Sequence, residues 1–205
     1  MKKRGVYQMF CVLIALASLC LPTMEISAEE NVALGKSVTL YGTMNGAAGS
    51  TLTDGIFLGR GTSWTSGTVW WNGTSAYAEI DLNGKYVINS MIAQADDNDA
   101  YLITYHDVLT GTWQTAWNVP NYDAYGSGMQ TRPNPANHND RYALASAITA
   151  DALRFYAVSG DNSYSVSEIQ AYGNKVPTTA PEPTTMLLLG LGLAGVAGIR
   201  RKMLK

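Results

Sequence analysis

Apolar and polar positions alternate in short runs between residues 30 and 175, and no stretch there repeats with the 3.6-residue period of a helix. Ser37–Tyr41 begins the series. Residues 76–82, AYAEIDL, put Ala78, Ile80 and Leu82 on one face and Glu79 and Asp81 on the other. Asn83-Gly84 comes next, a pair suited to a two-residue hairpin turn, so a second strand is predicted over 86–95. Residues 101–107 and 112–118 read as a hairpin joined at Leu109-Thr110-Gly111. Residues 142–147, 152–158 and 166–172 complete the set. The segment 118–139 is expected to be a long loop. Many short strands between turn signals predict an all-β domain, an antiparallel sandwich or barrel.

The pattern breaks at both ends. Lys2, Lys3 and Arg4 precede an almost wholly apolar run over residues 9–21, and small residues Ser27 and Ala28 follow. This reads as a signal peptide over 1–28, the run being short for a membrane span. An uncleaved anchor is the alternative reading. Near the other end, residues 177–183 form a Pro/Thr-rich linker that should be extended. Residues 184–199 carry no charge, and Arg200, Arg201 and Lys202 come directly after. As a helix of ~1.5 Å rise per residue, the apolar stretch is marginal against a bilayer core of about 30 Å. The cations behind it should stay cytoplasmic, so the domain at 29–176 would face outward, in agreement with export. The fourth segment, 184–205, is thus an apolar helix with a basic tail.

Composition sharpens this picture. Only 15% of the 205 residues are charged, while Gly (20) and Tyr (12) are frequent, a profile of β-structure with polar turns. The formal net charge of −2 hides an uneven layout. Residues 29–180 hold seven Lys/Arg against fourteen Asp/Glu, leaving −7 in the middle. An acidic domain without clustered cations is no nucleic-acid binder, but it suits calcium or a neutral ligand. Cys11 and Cys20 both lie in the leader, so the domain has no disulfide, thiol nucleophile or Cys-ligated zinc.

Two resemblances follow from particular residues. Pro181, Glu182 and Pro183, then a Leu/Gly/Ala-rich segment, then Arg200, Arg201 and Lys202, resemble the PEP-CTERM sorting signal of Gram-negative bacteria. The resemblance implies processing by an exosortase, transient membrane anchoring through the C-terminal helix, and a final place at the cell surface or outside the cell. The chain would be that enzyme's substrate. Within the domain, Asn31-Val-Ala-Leu-Gly-Lys36, Asp54-Gly55, Trp64, Ala78-Glu-Ile-Asp-Leu82, Tyr101, Trp113, Leu153-Arg-Phe155 and Val166-Ser-Glu-Ile169 resemble, in order, the motifs of discoidin-like (galactose-binding-like) domains over 31–173. Asn83 stands where that family has Gly. The resemblance implies a jelly-roll-like antiparallel β-sandwich whose edge loops bind sugars or lipid head groups.

That family often holds a structural calcium between the Asp-Gly loop and a Glu on the last strand. Asp54 and Glu168 stand at those positions, with Thr62 and the carbonyls near Leu52, Phe57 and Gly59 as further oxygen donors. The alternative is that Asp54 caps its turn and Glu168 pairs with Arg154. Asp96-Asp97-Asn98-Asp99 lacks the Gly and distal Glu of a calcium loop and reads as a solvated turn.

Sugar recognition needs an aromatic face and planar polar groups. Trp70, Trp71 and Asn72 in a Gly/Ser/Thr-rich stretch are candidates, one Trp facing the core and the other solvent. Tyr122, Tyr125, Arg132 and His138 are candidates in the long second loop. Trp64, Trp113 and Trp117 are expected in the core. Catalysis has little support. His106 and Asp107 are adjacent on a strand and point to opposite faces, and no facing carboxylate pair stands out. The expected function is non-catalytic binding of glycan or exopolysaccharide matrix, with a structural surface protein lacking a small-molecule ligand as the alternative.

Overall fold

The computed structural model describes residues 28–122, 126, 128–177 and 187–193. The expected signal peptide up to residue 27, Tyr125, the Pro181–Pro183 motif and the Arg200–Lys202 tail lie outside the described residues. The strands are β1 (Glu30–Asn31), β2 (Ser37–Tyr41), β3 (Asn45–Gly46), β4 (Val69–Asn72), β5 (Tyr77–Asp96), β6 (Ala100–Asp107), β7 (Thr112–Val119), β8 (Met129–Arg132), β9 (Tyr142–Ser159) and β10 (Ser163–Lys175). A 3-10 turn, Gly49–Thr53, lies between β3 and β4. Every pairing among these strands is antiparallel. Residues 187–193 form a short helix with exposed leucines, and no described helix is long and apolar enough to cross a membrane.

Two long strands, β5 and β9, hold the architecture together. The first part of β5 pairs with β2 and with the end of β9 (Tyr77 with Tyr156, Asp81 with Ala152). Its later part pairs with β10 and with the beginning of β9 (Tyr86 with Ala150, Met91 with Tyr142). Each strand therefore passes from one layer of the sandwich to the other. The hairpin expected at Asn83-Gly84 does not form. The two halves of β5 both find their partner on β9, and residues 82–85 make a bulge opposite residue 151. Asn83 has φ 52°, and its N–H donates to Asp81 Oδ1 at 2.8 Å. Asn and Gly serve here to bend a strand, a use with the same backbone demand as a turn. Likewise, residues 142–147 and 152–158 belong to one strand, and the long loop contains β8.

The apolar faces read from the sequence are the ones that meet inside. Ala78, Ile80 and Leu82 of β5, Ile103 of β6, and Leu153 and Phe155 of β9 are all buried. Trp71 sits among Tyr101 and Tyr164, with ring centroids 6.4 and 6.1 Å away. β10 runs between β4 and β5 and is buried along most of its length. Its register slips between Val166 and Glu168, which gives Ser167 no opposite residue. This bulge re-aims Glu168 within the strand.

Candidate functional site

The first site forms where the 3-10 turn ends. Asp54 caps it, and Gly55, at φ 80°, turns the chain toward β10. The Asp54 carboxylate accepts the Ile56 N–H through Oδ1 at 2.8 Å. Glu168, fully buried, accepts the Gly55 N–H at 3.1 Å and the Gln170 amide at 3.0 Å, both through Oε1. Its Oε2 is buried without a partner. Burial raises the Glu168 carboxyl to about 8, and the Asp54 charge adds to this against the two donated hydrogen bonds. The expected alternative for Glu168 fails, because Arg154 pairs with Glu79 at 2.7 Å. An orphaned carboxylate oxygen beside a second carboxylate is a donor set that fits a hard cation. The Thr62 hydroxyl donates to Gly59 O at 2.6 Å within its own turn, which leaves its oxygen lone pairs open.

A buried amide fixes the loop behind this site. Gln94 of β5 accepts the Leu58 N–H at 2.7 Å and donates to Leu58 O at 2.9 Å. Ser167 donates to the Gln94 amide oxygen at 2.7 Å, so the bulge that re-aims Glu168 also holds the loop clamp. His138 stacks on Phe57, centroids 4.7 Å apart, and bonds Thr131 Oγ1 at 2.6 Å. It therefore supports the same loop and is only half exposed.

The second site is a cleft of about 370 Å³ at one edge of the sandwich. Gly61, Ser63 and Trp64 line it from the loop before β4, Asp96 from the end of β5, Asn98 from the β5–β6 turn, Gly126 and Gly128 from the approach to β8, and Asp161 from the β9–β10 turn. Trp64 is half-buried and meets Trp70 edge to face, centroids 5.4 Å apart. Asn98 donates to Asp161 Oδ2 at 3.1 Å and ties two turns together. Asn72 donates to Asn162 O at 3.0 Å beside the same turn. The Tyr122 N–H donates to Asp97 O at 2.7 Å, and its ring is exposed.

The acidic run is not the solvated turn expected of it. Asp96, Asp97 and Asp99 are all buried. Asp97 accepts the Gln130 amide at 3.0 Å and the Gly128 N–H at 3.2 Å. Asp99 accepts from the Tyr101 hydroxyl at 3.1 Å and the Asp161 N–H at 3.3 Å. Burial pushes the Asp96 carboxyl up to about 6 and that of Asp99 to about 7. Gly160 lies so close that a Cβ there would stand 1.7 Å from Asp99 Oδ1.

The cation that tempers these acids is Arg132, and this corrects its expected place in an exposed binding loop. Arg132 is 2% exposed. Its guanidinium donates to the carbonyls of Ala95 (2.6 Å), Gln130 (2.9 Å), Asp96 (2.5 Å) and Pro120 (3.3 Å). A planar fork of donors satisfies carbonyls that the strand ends leave open. Trp71 is also removed from the ligand candidates, being fully buried, whereas its neighbour Trp70 is half-buried at the cleft. Both lie in strand β4, not a loop, which is why their faces alternate. Trp64 moves the other way, from expected core to cleft wall. The sequence reading did not single out Ser63, Trp64, Asp96, Asn98 or Asp161 as a group. Position was the available signal for Asp96, Asn98 and Asp161, each at or just beyond a strand end, whereas Ser63 and Trp64 lie inside the loop before β4.

Comparisons with known proteins agree with this architecture. Residues 179–202 match the PEP-CTERM protein-sorting motif. No curated protein matches the chain in sequence. Among solved structures, the fold is similar to that of an F-lectin (fucolectin) from the serum of striped bass, Morone saxatilis. The TM-score is 0.55 and the identity 14%, over 75% of this chain and 52% of that one. The chain thus spans about half the length of the lectin it matches. Lower similarity is found to the family 32 carbohydrate-binding module of EndoD from Streptococcus pneumoniae (TM-score 0.47, 18% identity, covering 70% of this chain and 99% of that one). The family 32 module of NanJ from C. perfringens, in complex with galactose, gives a TM-score of 0.49 at 11% identity, covering 71% and 98%. The domain has the discoidin-like, galactose-binding-like β-sandwich fold, and the chain carries a PEP-CTERM sorting motif behind it.

Proposed function

We propose that the chain is an exported, exosortase-processed surface protein whose β-sandwich binds glycan without acting on it. The observation that carries the binding half is the cleft. One aromatic residue, Trp64 braced edge to face by Trp70, lines it together with short polar groups on Ser63, Asn98, Asp96 and Asp161. An apolar ring face with convergent hydrogen-bonding groups is what a sugar requires of a site. The striped bass protein that shares the fold is itself a lectin. The sorting half rests on the match over 179–202.

The non-catalytic reading is supported by how the carboxylates are used. Asp96 and Asp161 line one cleft, so the pair that the sequence did not reveal is present. Asp161, however, has both oxygens engaged, by Asn98 Nδ2 and by the Ser163 N–H, and so anchors its turn. A glycosidase needs two carboxyl groups free to exchange protons or attack. Calcium at Asp54 and Glu168 would brace the loop that leads to Trp64, a structural role away from the ligand.

A glycan array probed with the full chain, with and without EDTA, tests the reading. Binding to a defined set of glycans is expected. Absence of binding under both conditions would favour a structural protein with no ligand, and release of sugar from a bound glycan would replace binding by hydrolysis.

A further inference from the structure

Lys36, Lys85 and Lys175 are the lysines of the domain, and the fold gathers them at one end. Lys175, Tyr86, Ala150 and Asp107 stand in one row across β10, β5, β9 and β6. Lys85 adjoins this row at Tyr86. Lys36 reaches it from the loop before β2, its ammonium donating to Tyr86 Oη at 3.3 Å. A Cβ on Gly84 would stand 3.7 Å from both Tyr86 Oη and Lys175 Cε. The domain holds fourteen acids against seven bases, yet among the described residues none of the three lysines is in an ion pair. Three acids nearby are engaged elsewhere. Asp81 accepts the Asn83 N–H, Asp107 accepts from Leu109 and Thr110, and Asp151 bonds His106 at 2.7 Å.

The row ends on the β6–β7 hairpin tip. Leu109 there is 84% exposed, more than any other large apolar side chain among the described residues. The tip is closely bonded. Asp107 accepts the Leu109 N–H at 2.9 Å and the Thr110 hydroxyl at 3.0 Å, and the Gly111 N–H donates to Asp107 O at 2.8 Å. The Val108 N–H donates to Thr149 O at 3.2 Å and ties the tip to β9. A built turn thus holds an apolar side chain out in water, where its exposure brings the fold no gain. An apolar group flanked by cations suits the interface of an anionic bilayer, the one entering the head-group layer and the others meeting phosphate.

The places where the chain leaves the domain show what this end faces. β1 pairs with β10, Glu30 opposite Gly173, so both ends of the domain lie side by side here. The Val176 N–H donates to Lys85 O at 2.8 Å. Seven residues, 177–183, separate that bond from the apolar segment at 184–199, and eight, 22–29, separate β1 from the apolar run at 9–21. At ~3.5 Å per residue, neither connection exceeds about 30 Å. Either apolar segment, seated in a membrane, keeps this end within that distance of it. The cleft lies at the other end of β10, whose 13 residues span roughly 40 Å.

We propose that this end is a docking face for an anionic lipid surface, with Leu109 in the head-group layer and Lys36, Lys85 and Lys175 against lipid phosphates while the chain is tethered. This rests on the C-terminal anchoring in the reading above. It is the end away from the edge loops through which discoidin-like domains are expected to bind. The tether holds the face at high effective concentration near the bilayer, so a modest contact suffices. Docking presents the cleft outward. Cutting the tether removes the advantage and lets the processed domain leave.

The test uses the full chain with Cys11→Ser and Cys20→Ser, incorporated into vesicles, and a nitroxide label at Leu109→Cys or, at the cleft end, at Ser159→Cys. Collisions with oxygen and with a water-soluble nickel chelate report the depth of each label. In vesicles containing phosphatidylglycerol, the label at 109 is expected to be shielded from the chelate and the label at 159 open to it. A lysine beside an anionic surface favours contact about fivefold. Pure phosphatidylcholine, high salt, and the triple variant Lys36→Gln, Lys85→Gln, Lys175→Gln should therefore each remove most of the shielding. The lipid and salt arms need no lysine variant and decide the matter if the triple variant does not fold. A label at 109 that is open to the chelate in every vesicle, or shielded equally in phosphatidylcholine, overturns the inference. Shielding that arises only when the processing enzyme shares the vesicle overturns it in favour of a protein partner. In these cases, a chain that still floats with the vesicles leaves the anchoring reading standing. A chain that floats with neither kind of vesicle defeats the anchoring reading, and the inference with it.

Discussion

The Gly55 amide donates to Glu168 Oε1 at 3.1 Å across 113 residues of sequence, and the other oxygen of that carboxyl is buried with nothing bonded to it. A carboxyl half satisfied in this way is a liability when ionised and an asset when a cation is present. At pH 7.5, calcium is therefore expected to stabilise the full chain by about 2.7 kcal/mol at a hundredfold excess over Kd, and so to raise its melting temperature. In Glu168→Gln, which keeps an oxygen for Gly55 but cannot ligate as a carboxylate, calcium should leave the melting temperature unmoved. Scanning calorimetry with calcium or EDTA makes the comparison. A calcium response that survives in Glu168→Gln would place the cation elsewhere.

The same burial sets an unusual pH profile. Glu168 is raised to about 8 from 4.5, Asp99 to about 7 from 3.8, and Asp96 to about 6 from 3.8, with burial the leading cause in each case. Between the ordinary and raised values, the folded chain holds more protons than the unfolded one. Stability must then fall as pH rises. The contribution is complete below about pH 4 and is lost by about pH 8. In EDTA, the melting temperature should drop by several degrees between pH 5 and pH 8, once the ordinary carboxylates elsewhere have ionised. Calcium should flatten the part due to Glu168. A flat or rising curve in EDTA would mean that these carboxyls are better solvated than their burial implies.

These acids also mark the limit of what the sequence displayed. Alternation showed the strands because side chains on a strand take sides two by two, and Ala78, Ile80 and Leu82 face inward as read. It could not show that Asn83-Gly84 bends β5, because a bulge and a hairpin make the same demand on those residues, and only β9 decides between them. The Asp54 and Glu168 pairing was accessible through its resemblance to known domains. The cleft was not, since Trp64, Asp96 and Asp161 are brought together by pairing over long stretches of chain. Asp96-Asp97-Asn98-Asp99 looked solvated because isolated carboxylates are rarely buried. The missing term was Arg132, a distant residue whose guanidinium closes the strand ends beneath them.

Arg132 should therefore matter to stability far more than to ligand affinity. Arg132→Met would strand the carbonyls of Ala95, Asp96, Gln130 and Pro120 and remove the charge that offsets Asp96, Asp97 and Asp99. Removing one partner from a buried charged network costs on the order of 3–5 kcal/mol. Urea unfolding should register this, with Arg132→Lys falling between the two because an ammonium cannot reproduce the fork. A loss under ~1 kcal/mol would mean that water replaces the guanidinium at those carbonyls.

The proposed sorting and binding roles rest on separate parts of the chain and should separate by mutation. Trp64 lines the cleft and is only half-buried, so Trp64→Ala should weaken glycan binding at least ~10-fold while the domain stays folded. On the proposed reading, processing depends on the motif matched over 179–202. Changing Pro181, Glu182 and Pro183 to alanine should leave the C-terminal apolar segment attached in the native host, seen as a slower-migrating form retained in the membrane fraction. Glycan affinity should be unchanged in that variant, and processing should be unchanged in Trp64→Ala. Normal processing of the alanine variant would refute the sorting assignment. A loss of glycan affinity in it would join the two functions, placing part of the ligand site beyond Lys175 at the end of β10.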